Sequence, residues 1–203
     1  VDYRQTLYFK QLAAVLKLLE VKPLFDLIGY GLVTLPEGAM SSRKGNIVTY
    51  QGLRDAVMDY ARQEVIARHP DWTEGKVSHT AWALAMGGIK FALLRQDSEK
   101  DIVFDMKEAL SFDGATGPYC QYAATRFGSI LRKAEFPADA TTKSLVPVFA
   151  HASEKALALA LAQLPQLVLL ATRDLRPSVI AQWCHETAQR MNDFYRDVPV
   201  LES

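Results

Sequence analysis

Apolar residues recur at helical spacing along most of the chain. Leu7, Tyr8, Leu12, Val15, Leu16 and Leu19 share one face and predict an amphipathic helix over residues 5–19. After Pro23 the pattern changes: residues 24–35 form an apolar run rich in β-branched and aromatic side chains, including Phe25, Ile28, Tyr30 and Val33, which predicts a strand. Residues 36–46 are polar and read as a loop, and Ile47, Val48 and Tyr50 predict a short strand after it. From Gly52 the helical period returns, with Leu53, Val57, Tyr60, Ala61 and Val65 on one face and a stop before Pro70. Residues 71–78 read as a loop. Trp82, Ala85, Met86, Ile89 and Leu93 predict the buried face of a second helix, weakened by Gly87 and Gly88. Ile102, Val103 and Phe104 are strand-like, and residues 111–118 are turn-rich, with Gly114, Gly117 and Pro118.

Beyond Pro118 every segment predicts helix. One stripe is Cys120, Ala123, Phe127, Ile130, Leu131 and Ala134; a second is Leu164, Leu167, Val168, Ala171 and Leu175. A third is Ile180, Trp183, Cys184, Thr187, Met191, Phe194 and Tyr195. Pro165 and Pro177 suit first-turn positions, where a missing N–H costs nothing. Connections between the stripes are short and predict antiparallel neighbours. The expected fold is mainly α with a small α/β part, divided into residues 1–50, 51–118 and 119–203.

Composition narrows the function classes. The 203 residues carry 23 Lys and Arg against 23 Asp and Glu, so the formal net charge is zero. Hydrophobic residues at 49% exclude a disordered chain. Zero net charge argues against indiscriminate nucleic-acid binding while leaving room for a locally basic surface. Cys120 and Cys184 are too few for a disulfide scaffold and read as buried thiols of a reducing cytoplasm. Residues 156–170 are apolar but broken by Gln163, Pro165 and Gln166, so no membrane partner is expected. Residues 1–5 have neither a signal-peptide layout nor an initiator methionine, and the chain is expected to begin inside a larger protein.

Two stretches carry candidate chemistry. Met40, Ser41, Ser42, Arg43, Lys44, Gly45 and Asn46 combine hydroxyl donors, positive charge and a permissive glycine, which suits a clamp on nucleotide phosphates. An ordinary solvated loop has the same composition, and the Walker pattern is absent. The second stretch is a Gly-rich turn leading into Tyr119, Gln121 and Tyr122, with Arg126 one helical turn on. Aromatic, amide and guanidinium groups together suit stacking on unpaired RNA bases; two packed tyrosines at a helix start are the plainer alternative. His69, His79, His151 and His185 form no metal-ligand spacing, and no metal site is expected. Glu108 and Asp113 are a weak candidate acid–base pair.

In order along the chain, these stretches resemble class I aminoacyl-tRNA synthetases, in the form found in arginyl-tRNA synthetases. Residues 40–46 resemble the signature loop of that class. Tyr30, Gly31, Leu32 and Val33 resemble the strand before it, and residues 110–122 resemble the junction into the anticodon-binding domain. Met191, Asn192, Asp193, Phe194 and Tyr195 are similar to that domain's late helix. The resemblance implies the end of a Rossmann-type catalytic domain, a helical connector and an incomplete helical anticodon-binding bundle. It implies ATP-dependent activation of arginine and transfer to tRNA(Arg), with ATP as substrate and Mg2+ alongside. By position, Met40, Ser41, Ser42, Arg43 and Lys44 would act on the phosphates. Gly31, Leu32, Val33 and Gly45 would lie near ATP, and Gln5 near the substrate arginine. Tyr119, Gln121, Tyr122 and Arg126 would face tRNA.

The resemblance has gaps. Ala39 stands where the general loop has its first lysine and Ser42 where it has its second. No His-x-Gly-His element occurs; in the family it lies in the N-terminal part of the synthetase, which this chain lacks. The chain alone is therefore expected to be inactive. The alternatives are a non-catalytic tRNA-binding fragment or paralogue, and, less favoured, an unrelated nucleotide-binding α/β protein.

Overall fold

The computed structural model describes residues 1–21, 26–36, 49–134 and 148–200. Met40, Ser41, Ser42, Arg43, Lys44 and Gly45 lie outside the described residues, as do Phe25 and the expected strand residues Ile47 and Val48. Among the described residues the chain is mostly helical, with one small parallel sheet, as the residue pattern predicts.

A short 3-10 turn, Tyr3–Gln5, leads into α1, Thr6–Leu18. Asp2 opens the turn: its carboxylate accepts from the Arg4 backbone and guanidinium, and Arg4 holds its pKa down at about 2. None of the side chains of α1 is fully buried among the described residues; Leu12 and Leu16 of its apolar stripe are half-buried, while Leu7, Tyr8 and Val15 are exposed.

The first core is a helical hairpin, α2 (Tyr50–Arg68) against α3 (Glu74–Leu94). Val57, Ala61 and Val65 of α2 meet Val77, Ala81, Ala85 and Ile89 of α3, and Phe104, Ala109 and Leu110 close one end. Alanines at three of these positions let the helix axes approach closely. Three expectations need correction here. Tyr50 is not a strand residue: it opens α2, because the Thr49 hydroxyl accepts from the Gly52 amide and caps the helix. Residues 74–78 are the first turn of α3, where Glu74 suits the positive end of the helix and accepts from Arg62 at 2.5 Å and Ser78 at 2.9 Å. Trp82 is 56% exposed. The buried line runs 77, 81, 85, 88, 89, and Trp82 sits one residue, about 100° of rotation, away from it.

Strand β1 (Val33–Thr34) pairs in parallel with β2 (Ile102–Val103), Val33 opposite Ile102 and Thr34 opposite Val103. The expected strand over residues 24–35 is thus shorter among the described residues, with an isolated bridge from Tyr30 to Asp2 extending it. A Cβ at Gly31 would lie 2.3 Å from the Lys100 carbonyl oxygen, so only glycine permits this approach. The short helix α4 (Met106–Ala109) follows, capped by Asp105, which accepts from the Lys107 and Glu108 amides. Glu108 pairs with Arg95 at 2.8 Å, which makes it part of the scaffold rather than an acid–base group.

The second half is a bundle of α5 (Gly117–Lys133), α6 (Ala152–Ala162), α7 (Leu164–Asp174) and α8 (Ser178–Asp197). Ala123 and Ile130 of α5, Leu157 and Ala160 of α6, and Ala181 and Ala188 of α8 are buried. The Trp183 indole donates to the Ala160 carbonyl at 2.7 Å, and Phe127 lies 6.0 Å from Phe194. Leu131 and Leu175, expected in buried stripes, are exposed, and no residue of α7 is buried. Helices α6 and α7 are not an antiparallel pair. Only Gln163 separates them, and its φ of −74° and ψ of −21° are helical, so the chain continues onward without reversing. Residues of Glu74–Leu94 and Ala152–Asp174 are long and apolar enough to cross a membrane by length and composition alone. The first of these is α3, the central packing helix of the core.

Gly117 is where α5 meets α3: a Cβ there would fall 2.3 Å from the Gly87 carbonyl oxygen and 3.0 Å from the Gly88 nitrogen. Gly117→Ala should therefore force two backbones apart, at a cost of about 1–3 kcal/mol. Gly75, with open space around an added Cβ, provides the contrast; Gly75→Ala should stabilise by roughly 0.5–1 kcal/mol through helix propensity. Thermal unfolding followed by circular dichroism checks both signs.

Candidate nucleic-acid interface

The face of interest is built around the start of α5. Thr116 has an extended backbone, and its hydroxyl accepts from the Tyr119 amide at 3.2 Å while donating to the Ser111 carbonyl at 2.6 Å. One buried side chain thus caps the helix and fastens the preceding turn. Pro118 fills a first-turn position, and α5 runs outward from the α3 contact.

Helical spacing then sorts the four predicted tRNA-facing residues into two groups. Tyr119 and Gln121 turn inward. The Tyr119 hydroxyl accepts from Asn192 at 2.9 Å, and its ring lies 5.5 Å from that of His185 on α8. The Gln121 amide donates to the Ala83 carbonyl of α3 at 2.8 Å, and its Oε1 is buried. Placing these two on the open face is therefore corrected: both are joints between helices. Tyr122 and Arg126 face outward. Tyr122 is 50% exposed, with its ring edge-on to Phe112 at 6.4 Å. The Arg126 guanidinium lies 4.0 Å from the centre of the Tyr195 ring and 5.6 Å from that of Tyr122.

The result is a row of two cations and three rings. Arg68 of α2 lies 5.3 Å over Phe112, Phe112 meets Tyr122, and Arg126 bridges Tyr122 and Tyr195. Among the described residues Arg126 has no carboxylate partner, whereas Arg196 is paired with Asp193 and Asp197. Beside the row, Arg126, Ser129, Lys133, Tyr195 and Pro199 line a hollow of about 310 Å³. Arg68 is paired with Glu64 at 2.8 Å, which leaves Arg126 as the cation of the row without a carboxylate partner among the described residues. Guanidinium planes and ring faces suit unstacked bases and backbone phosphate. Arg68 and Phe112 carried no periodic signal in the sequence. Each comes from a segment remote in the chain from Arg126 and enters the row only through the fold.

The predicted nucleotide side is separate. The Gly31 amide donates to the Ser98 carbonyl and the Leu32 amide to Asp101 Oδ1, both at 2.7 Å. The Leu32 carbonyl accepts from Ile102 at 2.8 Å, and Val33 lies in β1. Gln5 closes the 3-10 turn with an exposed side chain.

Residues 120–203 match the family described as DALR anticodon binding domain. Over 98% of its length the chain is 39% identical to an arginine–tRNA ligase of Bdellovibrio bacteriovorus, and over its full length 38% identical to that of Lactococcus lactis. The chain belongs to the arginyl-tRNA synthetase family. It spans only about a third of these relatives, 35% and 36% of their lengths. The arginyl-tRNA synthetase of Thermus thermophilus superposes on 84% of this chain with a TM-score of 0.69 at 34% identity, the overlap being 27% of that protein. The Plasmodium falciparum arginyl-tRNA synthetase shares the fold over the full chain with a TM-score of 0.77 at 19% identity. Tyr122, Arg126 and Tyr195 thus lie within the residues matched to the anticodon-binding domain, while Arg68 comes from α2 and Phe112 from the turn before α5.

The two thiols sit behind this face on α5 and α8, half-buried and free. Burial pushes Cys120 up to about 11 and raises Cys184 as well. At pH 8 the Cys120 thiolate should be scarce, and its reaction with a disulfide reagent roughly a hundredfold slower than in denaturant. The rate should climb with pH as the thiol approaches its raised pKa, which a stopped-flow pH series measures.

Proposed function

We propose that this chain is the C-terminal portion of an arginine–tRNA ligase and binds tRNA(Arg) through the Arg68–Phe112–Tyr122–Arg126–Tyr195 row. The half-buried Arg126 guanidinium between two tyrosine rings, on an anticodon-binding domain, carries this reading. In the complete enzyme the carboxylate of arginine attacks the α-phosphate of ATP, pyrophosphate leaves, and the arginyl group of the adenylate passes to a hydroxyl at the tRNA 3′ end. Arg43 and Lys44 supply positive charge to phosphate oxygens as that charge grows, with the Ser41 and Ser42 hydroxyls donating beside them. Gly45 permits close backbone approach, and Met40 belongs to the same closing loop. Gly31, Leu32 and Val33 border the nucleotide, and Gln5 approaches the arginine.

Mg2+ arrives with ATP, held by its phosphate oxygens; among the described residues no cluster of three or more His, Cys, Asp or Glu could hold a metal. The setting is the cytoplasm, where ATP and tRNA meet. The partner this chain needs for chemistry is the N-terminal part of the synthetase, which supplies the rest of the nucleotide site. A non-catalytic tRNA-binding paralogue is the alternative that the experiments separate.

In the full-length protein, Arg126→Ala and Tyr122→Ala should each weaken tRNA binding by about 1–3 kcal/mol, with Arg126→Ala also lowering the salt dependence. Filter binding at several salt concentrations measures both, and ATP affinity should be unchanged; equal loss of ATP affinity contradicts the assignment. Lys44→Ala should lower kcat for arginyl-adenylate formation more than it raises KM for arginine, because its charge acts on the transition state. Pyrophosphate exchange by the isolated chain should be at background; exchange at the rate of a whole synthetase contradicts its dependence on the missing part.

A further inference from the structure

Helices α6 and α8 pack against each other, but part-way along α8 they leave a hollow of about 240 Å³. Ala156 and Ala160, four residues apart on α6, and Trp183 and Thr187, four apart on α8, all line it. The two alanine methyl groups are too small to fill the space between the helices. Trp183 is pinned as one wall, since its indole N–H donates to the Ala160 carbonyl at 2.7 Å. Leu159 extends the apolar side. The volume lies below the roughly 300–1,000 Å³ of sites for drug-sized molecules and equals the share of about eight waters. It suits a ligand the size of an amino acid.

Thr187 forms the floor and is 5% exposed. Thr125 and Thr172, on other helices, donate to the carbonyl four residues back, at 2.9 and 2.8 Å. The Thr187 hydroxyl does not: its Oγ1 is buried and has no hydrogen-bond partner among the described residues. A buried hydroxyl left unpaired is costly, so a group that both donates and accepts is favoured beside it. At the rim stand Glu186 and Arg190, both exposed. They lie four apart on α8, a spacing that favours ion pairs, yet neither is in an ion pair with any described residue. The hollow is thus apolar along one wall, with an unused hydroxyl at its base and separate charges of both signs at its mouth.

We propose that this hollow binds a free α-amino acid whose side chain is uncharged and ends in a hydrogen-bonding group. The ammonium of the ligand meets Glu186 and its carboxylate meets Arg190. Its methylene groups lie against Trp183 and Leu159, and a carboxamide or hydroxyl tip reaches Thr187. A charged tip is disfavoured, because no opposite charge is buried among the lining residues. The hollow shares no lining residue with the one beside Arg126, and the two sites stand or fall separately.

The test is fluorine NMR of 5-fluorotryptophan-labelled full-length protein, with the Trp183 line assigned by Trp183→Phe. The probes are L-glutamine, L-norleucine (an apolar tip) and 4-carbamoylbutanoate (no ammonium). L-Glutamine should shift the Trp183 line with a Kd on the order of 1 mM or below, and the other two should bind about fivefold more weakly. Thr187→Val should abolish the preference for L-glutamine over L-norleucine, and Glu186→Gln its preference over 4-carbamoylbutanoate. Arg190→Gln should weaken L-glutamine about fivefold or more, and Ala160→Leu, which fills the hollow, should remove the shift. Glu186 and Arg190 are exposed, so their variants keep the test decisive should a buried variant fold poorly. No shift with L-glutamine up to about 10 mM overturns the proposal. So does L-norleucine binding as tightly as L-glutamine to the parent, or L-glutamine affinity unchanged in both charge variants.

Discussion

Gly117 meets the Gly87 carbonyl at a distance no side chain could share, and this contact sets the point from which α5 leaves the core. Everything in the second half is placed relative to it. With the helix start pressed onto α3, Thr116 can cap α5 and tie down the turn before it, and Gln121 can reach the Ala83 carbonyl. With α5 so held, Tyr119 meets Asn192 and Phe127 meets Phe194, which lays α8 alongside α5 in the same direction. Helices α6 and α7 follow α8 rather than α3. The close glycine approach thus orders the whole bundle against the helical hairpin.

The same contact divides the polar and aromatic side chains of α5 into structural and open groups. Tyr119 and Tyr122 are three residues apart, which on a helix turns them about 60° from each other. That rotation separates a ring packed against α8 from one half-exposed beside Phe112. The open group is completed by Arg68 and Tyr195, brought in by α2 and α8. Because cation–aromatic contacts are short-ranged, the row exists only while all three helices keep their spacing. Packing of small residues in the core and the makeup of the RNA face are in this sense one problem.

The nucleotide side depends on a second close approach, Gly31 against Lys100. Two-residue strands contribute little by themselves; β1 and β2 persist because the 95–101 turn grips Gly31 and Leu32 beside them and Phe104 is sealed into the hairpin core. The turn is therefore shared between the sheet and the bundle, where Asp97 accepts from Arg176 and Ser178.

The sequence by itself determined the helices with a strong period and the order of the chain's parts. The face of α2, the start of α5 at its Gly–Pro turn, α8, and the sequence of family-like motifs are all legible, because helix period, capping and turn chemistry act between residues a few positions apart. Local pattern misplaced Trp82, whose large ring reads as core, and missed the first turn of α3, whose polar residues read as loop. It also put Tyr119 and Gln121 beside Tyr122 and Arg126. Only the tertiary structure decided that the first pair packs inward and the second faces out, and that Arg68, Phe112 and Tyr195 join them. The reason is that a side chain's direction follows from its helix, but what it meets there depends on the rotation and approach of neighbouring helices. Those are set by contacts such as Gly117 on Gly87, thirty residues apart in the chain, which no local period records.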